Sequence, residues 1–299
     1  MDLISSDDLT KEEIREIFGI ADKLVKGRQE LSLKEHSTMA LFFEEPSTRT
    51  RVSLEVAMAQ LGGTAIYIDA HTSQAVRGET ISDTARVLSS YCDFIAVRAN
   101  DHEKVNAMAE SSSVPVINAL TSLEHPTQSL ADVYTIIGKK GNMKDLTVAL
   151  IGDIAANTAN SLMLTAAKLG GKVSLVGPEG CVPNSFFFNK AREYSKVDLS
   201  HSIEEGLDGA DIVYTDTFVS MGDEAESDKR KRMFAPYQLN GSTLSYAKGD
   251  ALVMHPLPAH RGEEITAEVI DGKRSIVWEQ AKNKLLIEKA ILLYLSENV

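Results

Sequence analysis

The run Phe43-Glu44-Glu45-Pro46-Ser47-Thr48-Arg49-Thr50-Arg51 carries the densest chemistry in the chain. An apolar run ends, a proline turns the backbone, and hydroxyl and arginine residues open an expected helix over 50–61. The first turn of a helix leaves backbone N–H groups unpaired and carries the positive end of the helix dipole. Hydroxyls and an arginine fork converging there describe a phosphate site made without a glycine-rich loop. The same residues also read as an ordinary helix start, with Ser47 capping and the arginines pairing with Glu44 and Glu55.

A second cluster, His125-Pro126-Thr127-Gln128, stands at the start of another expected helix. Residues three apart share a helical face, so His125 and Gln128 are able to donate together to a carbonyl or phosphoryl oxygen. The competing reading is a cap or a satisfied core histidine. Arg98 closes an apolar run at 94–97, and it serves either the same anion or a neighbouring acid.

Further along, Ile151-Gly152-Asp153 leads to Asn157. A dinucleotide fingerprint needs three spaced glycines. Here only Gly152 is in place, with Ile154 and Asn157 at the other two positions, so a nicotinamide cofactor is not expected. A polar Asn157 at a helix start suits an amino-acid carboxylate. Asp216, in Thr215-Asp216-Thr217-Phe218-Val219-Ser220-Met221-Gly222, suits an ammonium group, or simply starts a turn. In Met254-His255-Pro256-Leu257-Pro258-Ala259-His260-Arg261-Gly262 two prolines stiffen a loop. No zinc-type spacing of Cys, His or acidic residues and no HExxH occur, so no metal is expected.

The elements that hold these segments are strands and helices in alternation. Apolar runs at 39–43, 65–68, 94–97 and 114–117 read as strands, and 50–61, 80–90, 102–111 and 127–138 as helices. Near-continuous apolar strands alternating with helices imply parallel sheets covered on both faces, an α/β fold. Ligands of such sheets bind at the carboxyl ends of the strands, where all these segments fall. Gly138-Lys139-Lys140-Gly141-Asn142 is a polar break between two domains, 1–138 and 139–279. The second series has strands at 146–151, 172–176, 212–215 and 251–254, with a helix at 157–169. A closing helix over about 280–299 is long enough to pack back on the first domain. Thr10 and Glu13 form a capping-box pattern at the first helix. The polar stretch 222–232 reads as a mobile loop.

Composition limits the classes of function. The 299 residues suffice for about two domains. The net charge of −12 argues against a nucleic-acid or membrane-surface partner, which would need a basic face. Two cysteines, Cys92 and Cys181, fit a reducing compartment. The acidic start lacks a signal-peptide pattern and no run approaches 18 apolar residues, so the expected location is cytoplasmic.

Taken in order, Ser-Thr-Arg-Thr-Arg, His-Pro-Thr-Gln, Asp-x-x-x-Ser-Met-Gly and His-x-Leu-Pro resemble the aspartate/ornithine carbamoyltransferases, from about residue 3 to the final helix. Ser-Met-Gly and the Ala-His-Arg-Gly-Glu-Glu after Leu-Pro are similar to the ornithine branch. The resemblance implies two α/β domains, each a parallel sheet flanked by helices, joined by two helices and assembled as homotrimers or multiples of trimers. It implies no cofactor, with carbamoyl phosphate and L-ornithine as substrates and citrulline and phosphate as products, in arginine biosynthesis or catabolism.

By the same resemblance Ser47, Thr48, Arg49 and Thr50 cradle the phosphate. Arg98, His125 and Gln128 hold and polarise the carbamoyl group, with Arg49, Arg98, His125 and Gln128 as the catalytic set. Gln74, Pro256, Leu257 and Lys284 complete the carbamoyl phosphate site, with Gln74 on a loop that reaches a neighbouring subunit. Asn157, Asp216, Ser220 and Met221 bind ornithine. Two positions depart from the ornithine branch: Pro256 stands where it has Cys, as in the aspartate branch, and Lys284 stands where it has Arg. Carbamoyl transfer to aspartate or putrescine is the alternative within the family, and a chain without chemistry is the alternative outside it.

Overall fold

The computed structural model describes residues 1–27, 31–219 and 226–298. The chain forms two compact units, one of residues 1–130 with 284–299 and one of residues 131–283. The chain passes between them inside helix α5 (Pro126–Lys140) and inside helix α12 (Val277–Glu297).

The first unit opens with α1 (Lys11–Lys26). Thr10 caps it, accepting from Glu13 N–H while the Glu13 carboxylate accepts from Thr10 N–H at 2.7 Å. Strands β1 (Thr38–Phe43), β2 (Thr64–Asp69), β3 (Phe94–Arg98) and β4 (Val116–Leu120) then alternate with α2 (Arg49–Gln60), α3 (Ile81–Ser89) and α4 (His102–Ser111). The sheet is parallel in the order β2-β1-β3-β4. Its central strands are buried on both faces, which is why they read as unbroken apolar runs. Ala40, Phe42, Ile95 and Val97 pack on one face against Ala85, Val105 and Met108 of α3 and α4.

Strand β4 starts two residues later than its apolar run suggests. Asn118, a polar residue inside the strand, donates to Ile4 O at 2.8 Å and accepts from Leu120 N–H at 2.9 Å. The N-terminal segment lies beside this strand, with Leu3 opposite Ile117.

The second unit holds β5 (Thr147–Ile151), β6 (Lys172–Val176), β7 (Val197–Ser200), β8 (Ile212–Thr215) and β9 (Leu252–Met254), parallel in the order β7-β6-β5-β8-β9. Helices α6 (Asn157–Lys168), α7 (Ser185–Tyr194), α8 (Ile203–Leu207), α9 (Ser227–Phe234), α10 (Gly241–Leu244) and α11 (Ala267–Ile270) connect or cover them. Gly206 of α8 must be glycine, because a Cβ there would lie 2.4 Å from Val176 Cγ2.

The expected loop at 222–232 needs correcting. Residues 220–225 lie outside the described residues, but Ser227–Phe234 is a helix. Its anchor lies beyond the polar window: Phe234 is buried and stacks on Phe218 with centroids 5.5 Å apart. Arg230 adds polar ties, donating to Phe218 O at 2.9 Å and to the Asp153 carboxylate.

Both sheets reverse direction once. Successive strands leave β1 on one side and β3 on the other, and β5 and β8 stand in the same relation. The crevice at such a switch point is where open parallel sheets bind ligands.

Candidate active site

In the first unit the switch point is marked by register. Phe43 pairs with Arg98 and Arg98 with Leu120, so three strand ends line up across the sheet. Glu44 N–H bonds to Arg98 O at 2.8 Å, tying the segment before the cradle to the arginine. Ser47, Thr48 and Arg49 lead into α2, with Thr48 and Arg49 exposed and Thr50 buried. Thr48 occupies the cap position in helical conformation, and no side-chain cap bond forms there. The Thr48 side chain thus does not cap α2. The ordinary-cap alternative holds for only one arginine. Arg51 bonds Glu55 at 2.8 Å and lies 3.6 Å above the Tyr67 ring, which removes it from the cradle. Glu44 pairs with Lys104 instead, at 2.6 Å.

Arg98 is part-buried, and burial draws its guanidinium down to about 10, with Glu45 raising it and Arg49 lowering it. His125 is 5% exposed. Burial pushes its pKa well below the ordinary imidazole value, and Lys284, Arg98 and Arg49 push it further down. Its Nε2 lies 3.5 Å from Lys284 Nζ and its Nδ1 lies 3.3 Å from Thr127 Oγ1. An ammonium only donates, so Nε2 carries the lone pair and Nδ1 the proton. Gln128 is buried one turn on, its backbone N–H bonded to His125 O at 3.1 Å. Arg98, His125 and Lys284, expected from separate parts of the chain, are brought together here, with Arg49 near enough to act on His125. Gln74 is exposed at the start of a 3-10 turn, Gln74–Arg77, after β2.

In the second unit Ile151 pairs with Thr215, so the residues after β5 and β8 are neighbours. Asn157 opens α6, half-buried. Asp216 accepts from Thr158 Oγ1 at 2.6 Å and from Thr217 N–H at 2.7 Å. Burial raises its pKa above the ordinary carboxylate value, opposed by His255 and by those hydrogen bonds. A small cavity is lined by Asp153, Thr158, Tyr214, Thr215 and Asp216 among others. Ser220 and Met221 lie outside the described residues.

The Pro256-Leu257 loop is fixed from below. Buried His255 accepts from Leu257 N–H through Nδ1 at 2.9 Å, which leaves Nε2 to donate to Glu264 at 3.1 Å. Leu257 is held at φ 60°, a left-handed conformation that costs a non-glycine residue about 1 kcal/mol or more. Thr158 escaped sequence reading, and His255 and Glu264 were read within their motifs without a role of their own, because all three support other groups.

Among the described residues one group, His260, Glu263 and Glu264, brings three possible metal-ligand atoms within 4.8 Å of one another. Its carboxylates already have partners, Glu263 with Lys231 at 2.8 Å and Glu264 with His255.

Residues 1–138 match the family model described as the carbamoyl-P binding domain of aspartate/ornithine carbamoyltransferase, and residues 144–295 match that of its Asp/Orn binding domain. The chain belongs to the aspartate/ornithine carbamoyltransferase family. As a member of that family it is a transferase. It is 46% identical to an ornithine carbamoyltransferase of Pyrococcus abyssi, with 98% of this chain and 95% of the relative covered. The ornithine carbamoyltransferase structure from Pyrococcus furiosus superposes with a TM-score of 0.93 at 44% identity, covering 100% of this chain and 97% of that one. An anabolic ornithine carbamoyltransferase from Campylobacter jejuni superposes with a TM-score of 0.93 at 36% identity, covering 100% and 99%. In this carbamoyltransferase both sheets are parallel and flanked by helices. No helix among its described residues is long and apolar enough to cross a membrane.

Proposed function

We propose that the chain is an ornithine carbamoyltransferase that moves the carbamoyl group of carbamoyl phosphate to the δ-amine of L-ornithine. The observation that carries the reading is the grouping of Arg98, His125 and Lys284, with Arg49 of the first turn of α2 close enough to act on His125, a cationic cluster inside a chain of net charge −12. It suits a small doubly charged phosphate. Arg49 and the residues from Ser47 to Thr50 take the phosphate, and Arg98 and Gln128 take the carbamoyl oxygen, with Pro256 and Leu257 completing the donor site.

The neutral δ-amine attacks the carbamoyl carbon, the C–O bond to phosphate breaks with its electron pair, and the amine proton leaves with the phosphate. An amine with a pKa near 10.4 is neutral in roughly one molecule of 2,500 at pH 7. The protein's work is therefore to position two reactants and to stabilise the oxyanion and the departing phosphate with fixed cations. His125 is held neutral by Lys284, Arg98 and its burial, so the positive charge of the site resides on arginine and lysine. The α-carboxylate goes to Asn157 and the α-ammonium to Asp216, with Ser220 and Met221 completing the acceptor site.

On this reading the product is citrulline, the reaction belongs to arginine biosynthesis or catabolism, the chain works in the cytoplasm, and it assembles as trimers. Pro256 favours a second acceptor, aspartate, because the aspartate branch has proline there. The deciding assay offers carbamoyl phosphate with ornithine, aspartate or putrescine side by side. We expect ornithine to lead by a wide margin in kcat/KM. Faster carbamoylation of aspartate overturns the assignment.

A further inference from the structure

One buried acid in the first unit has no place in the reaction as written. Glu288 stands one turn after Lys284 on α12, and the two side chains are 1% and 6% exposed. Lys284 Nζ is 3.5 Å from Glu288 Oε1 and 3.5 Å from His125 Nε2, so one ammonium stands between a carboxylate and an imidazole. Besides Lys284 on its own helix, Ser53 of α2 also favours the charged form of Glu288. Ser53 is one turn along the helix whose start forms the cradle. His125 faces the same ammonium from the segment after β4, under the influence of Arg98 and Arg49. Among the described residues the one close partner of the Glu288 carboxylate is thus the Lys284 ammonium, since neither of its buried oxygens accepts a hydrogen bond and the Ser53 hydroxyl donates to Thr50 O at 3.3 Å.

An arginine could keep a bidentate grip on one anion with its planar fork and still present further donors. A lysine is a compact point charge on a flexible stem. When a phosphate dianion arrives, Lys284 has two anions to choose between. We propose, resting on the reading of this pocket as the carbamoyl phosphate site, that Glu288 is a positioning residue. It holds the Lys284 ammonium beside His125 in the empty enzyme, and it takes up a proton from solvent when that ammonium turns to the phosphate. The balance is one solvent proton added to one carboxylate oxygen, with no bond to the substrate. Burial already pushes Glu288 up to about 7 against the opposing effects of Lys284 and Ser53. Loss of the ammonium together with arrival of a dianion raises it further, so binding near neutral pH draws in a proton.

The test is calorimetric titration of carbamoyl phosphate into the full chain at pH 7.5, in two buffers of different ionisation heat. The wild type is expected to take up roughly half a proton or more per site. Glu288→Gln is expected to bind with no uptake. Lys284→Met serves as a second variant, because Glu288 without its ammonium is already protonated and has no proton to gain. Binding without uptake in the wild type, or the same uptake in Glu288→Gln, overturns the inference and leaves the reading of the site intact. No binding at all by the wild type overturns both.

Discussion

Thr158 donates its hydroxyl to Asp216 Oδ2 across 2.6 Å, inside the second unit at the crevice between β5 and β8. The bond favours the charged form of a carboxylate that burial pushes toward neutrality. An α-ammonium needs that charge. Thr158→Val removes the bond and is expected to raise the KM for ornithine about tenfold, the effect of losing a hydrogen bond to a charged group of roughly 1.5 kcal/mol. Asp216→Asn is expected to do more. In both variants carbamoyl phosphate affinity is expected to stay near wild type, because on the proposed reading Asp216 meets only the second substrate. Steady-state kinetics with each substrate varied in turn checks this, and a loss of carbamoyl phosphate binding contradicts it.

Arg49→Ala tests the cradle. On the proposed reading it removes one charge-assisted contact to the phosphate from an exposed helix start, and carbamoyl phosphate affinity is expected to fall at least tenfold, on the order of 1.5–3 kcal/mol. Near-wild-type binding by calorimetry would show that 47–50 only begins a helix.

His125 is expected to stay neutral, with its proton on Nδ1, from pH 6 to 8. Nitrogen chemical shifts of the labelled ring read both the charge and the tautomer, and a pKa at or above 6.5 contradicts the site. The stability consequence has a definite sign. The folded value lies below the unfolded value of about 6.5, so the folded state binds fewer protons than the unfolded one as the pH drops. This group's contribution is whole above about pH 6.5 and declines below it. The Tm of the wild type should therefore fall more steeply below pH 6.5 than that of His125→Gln.

Thiol reagents should not inactivate the native enzyme. Pro256 offers no sulfur in the loop after β9. Cys92 and Cys181 are buried, and burial raises both thiols, Cys181 to about 12 beside Asp153. The thiolate is the reactive form. Labelling of the native chain is expected to be slow against the unfolded chain, and rapid labelling with loss of activity contradicts it.

Gln74, exposed on its 3-10 turn, tests the proposed trimer. If it completes a neighbour's site, inactive Arg49→Ala and inactive Gln74→Ala chains should restore activity when dissociated and reassembled together. Some mixed sites then carry neither change. Proven exchange of subunits without recovery rules out sharing.

The strands buried on both faces were the most legible elements. Lys172–Val176 and Ile212–Thr215 match their expected runs at both ends; Ser174 inside the first is buried without loss of register because its hydroxyl donates to Gly206 O at 2.7 Å. Strand β4 starts two residues late and runs on past the apolar stretch because Asn118 is satisfied inside it, by Ile4 O of the N-terminal segment and by Leu120 N–H, which no local pattern reveals. The elements from α7 to α8 escaped notice: β7 is a four-residue strand with exposed Asp198 and Leu199, and α8 is five residues long. The segments proposed to bind the substrates were legible in their placement, because each is a short stretch at a strand's end. The partnership of His125, Lys284 and Glu288 was not, since it depends on where the last helix lies. Only the four-residue step from Lys284 to Glu288 hinted at it.

The first unit is assembled from two stretches of chain, 1–130 and 284–299, with the whole of the second unit encoded between them. During synthesis at roughly 5–20 residues per second, the ribosome spends on the order of ten seconds making the second unit before the closing segment emerges. Throughout that interval the nascent first unit lacks Ile287, Ala290, Ile291 and Leu292, all buried once in place, and the Tyr294 hydroxyl that bonds Glu13 at 3.1 Å. The second unit, continuous in sequence, has no such delay. The order of completion therefore runs against the order of translation: the half that is made first is finished last, and a nascent chain halted at residue 283 has neither its closing apolar face nor Lys284.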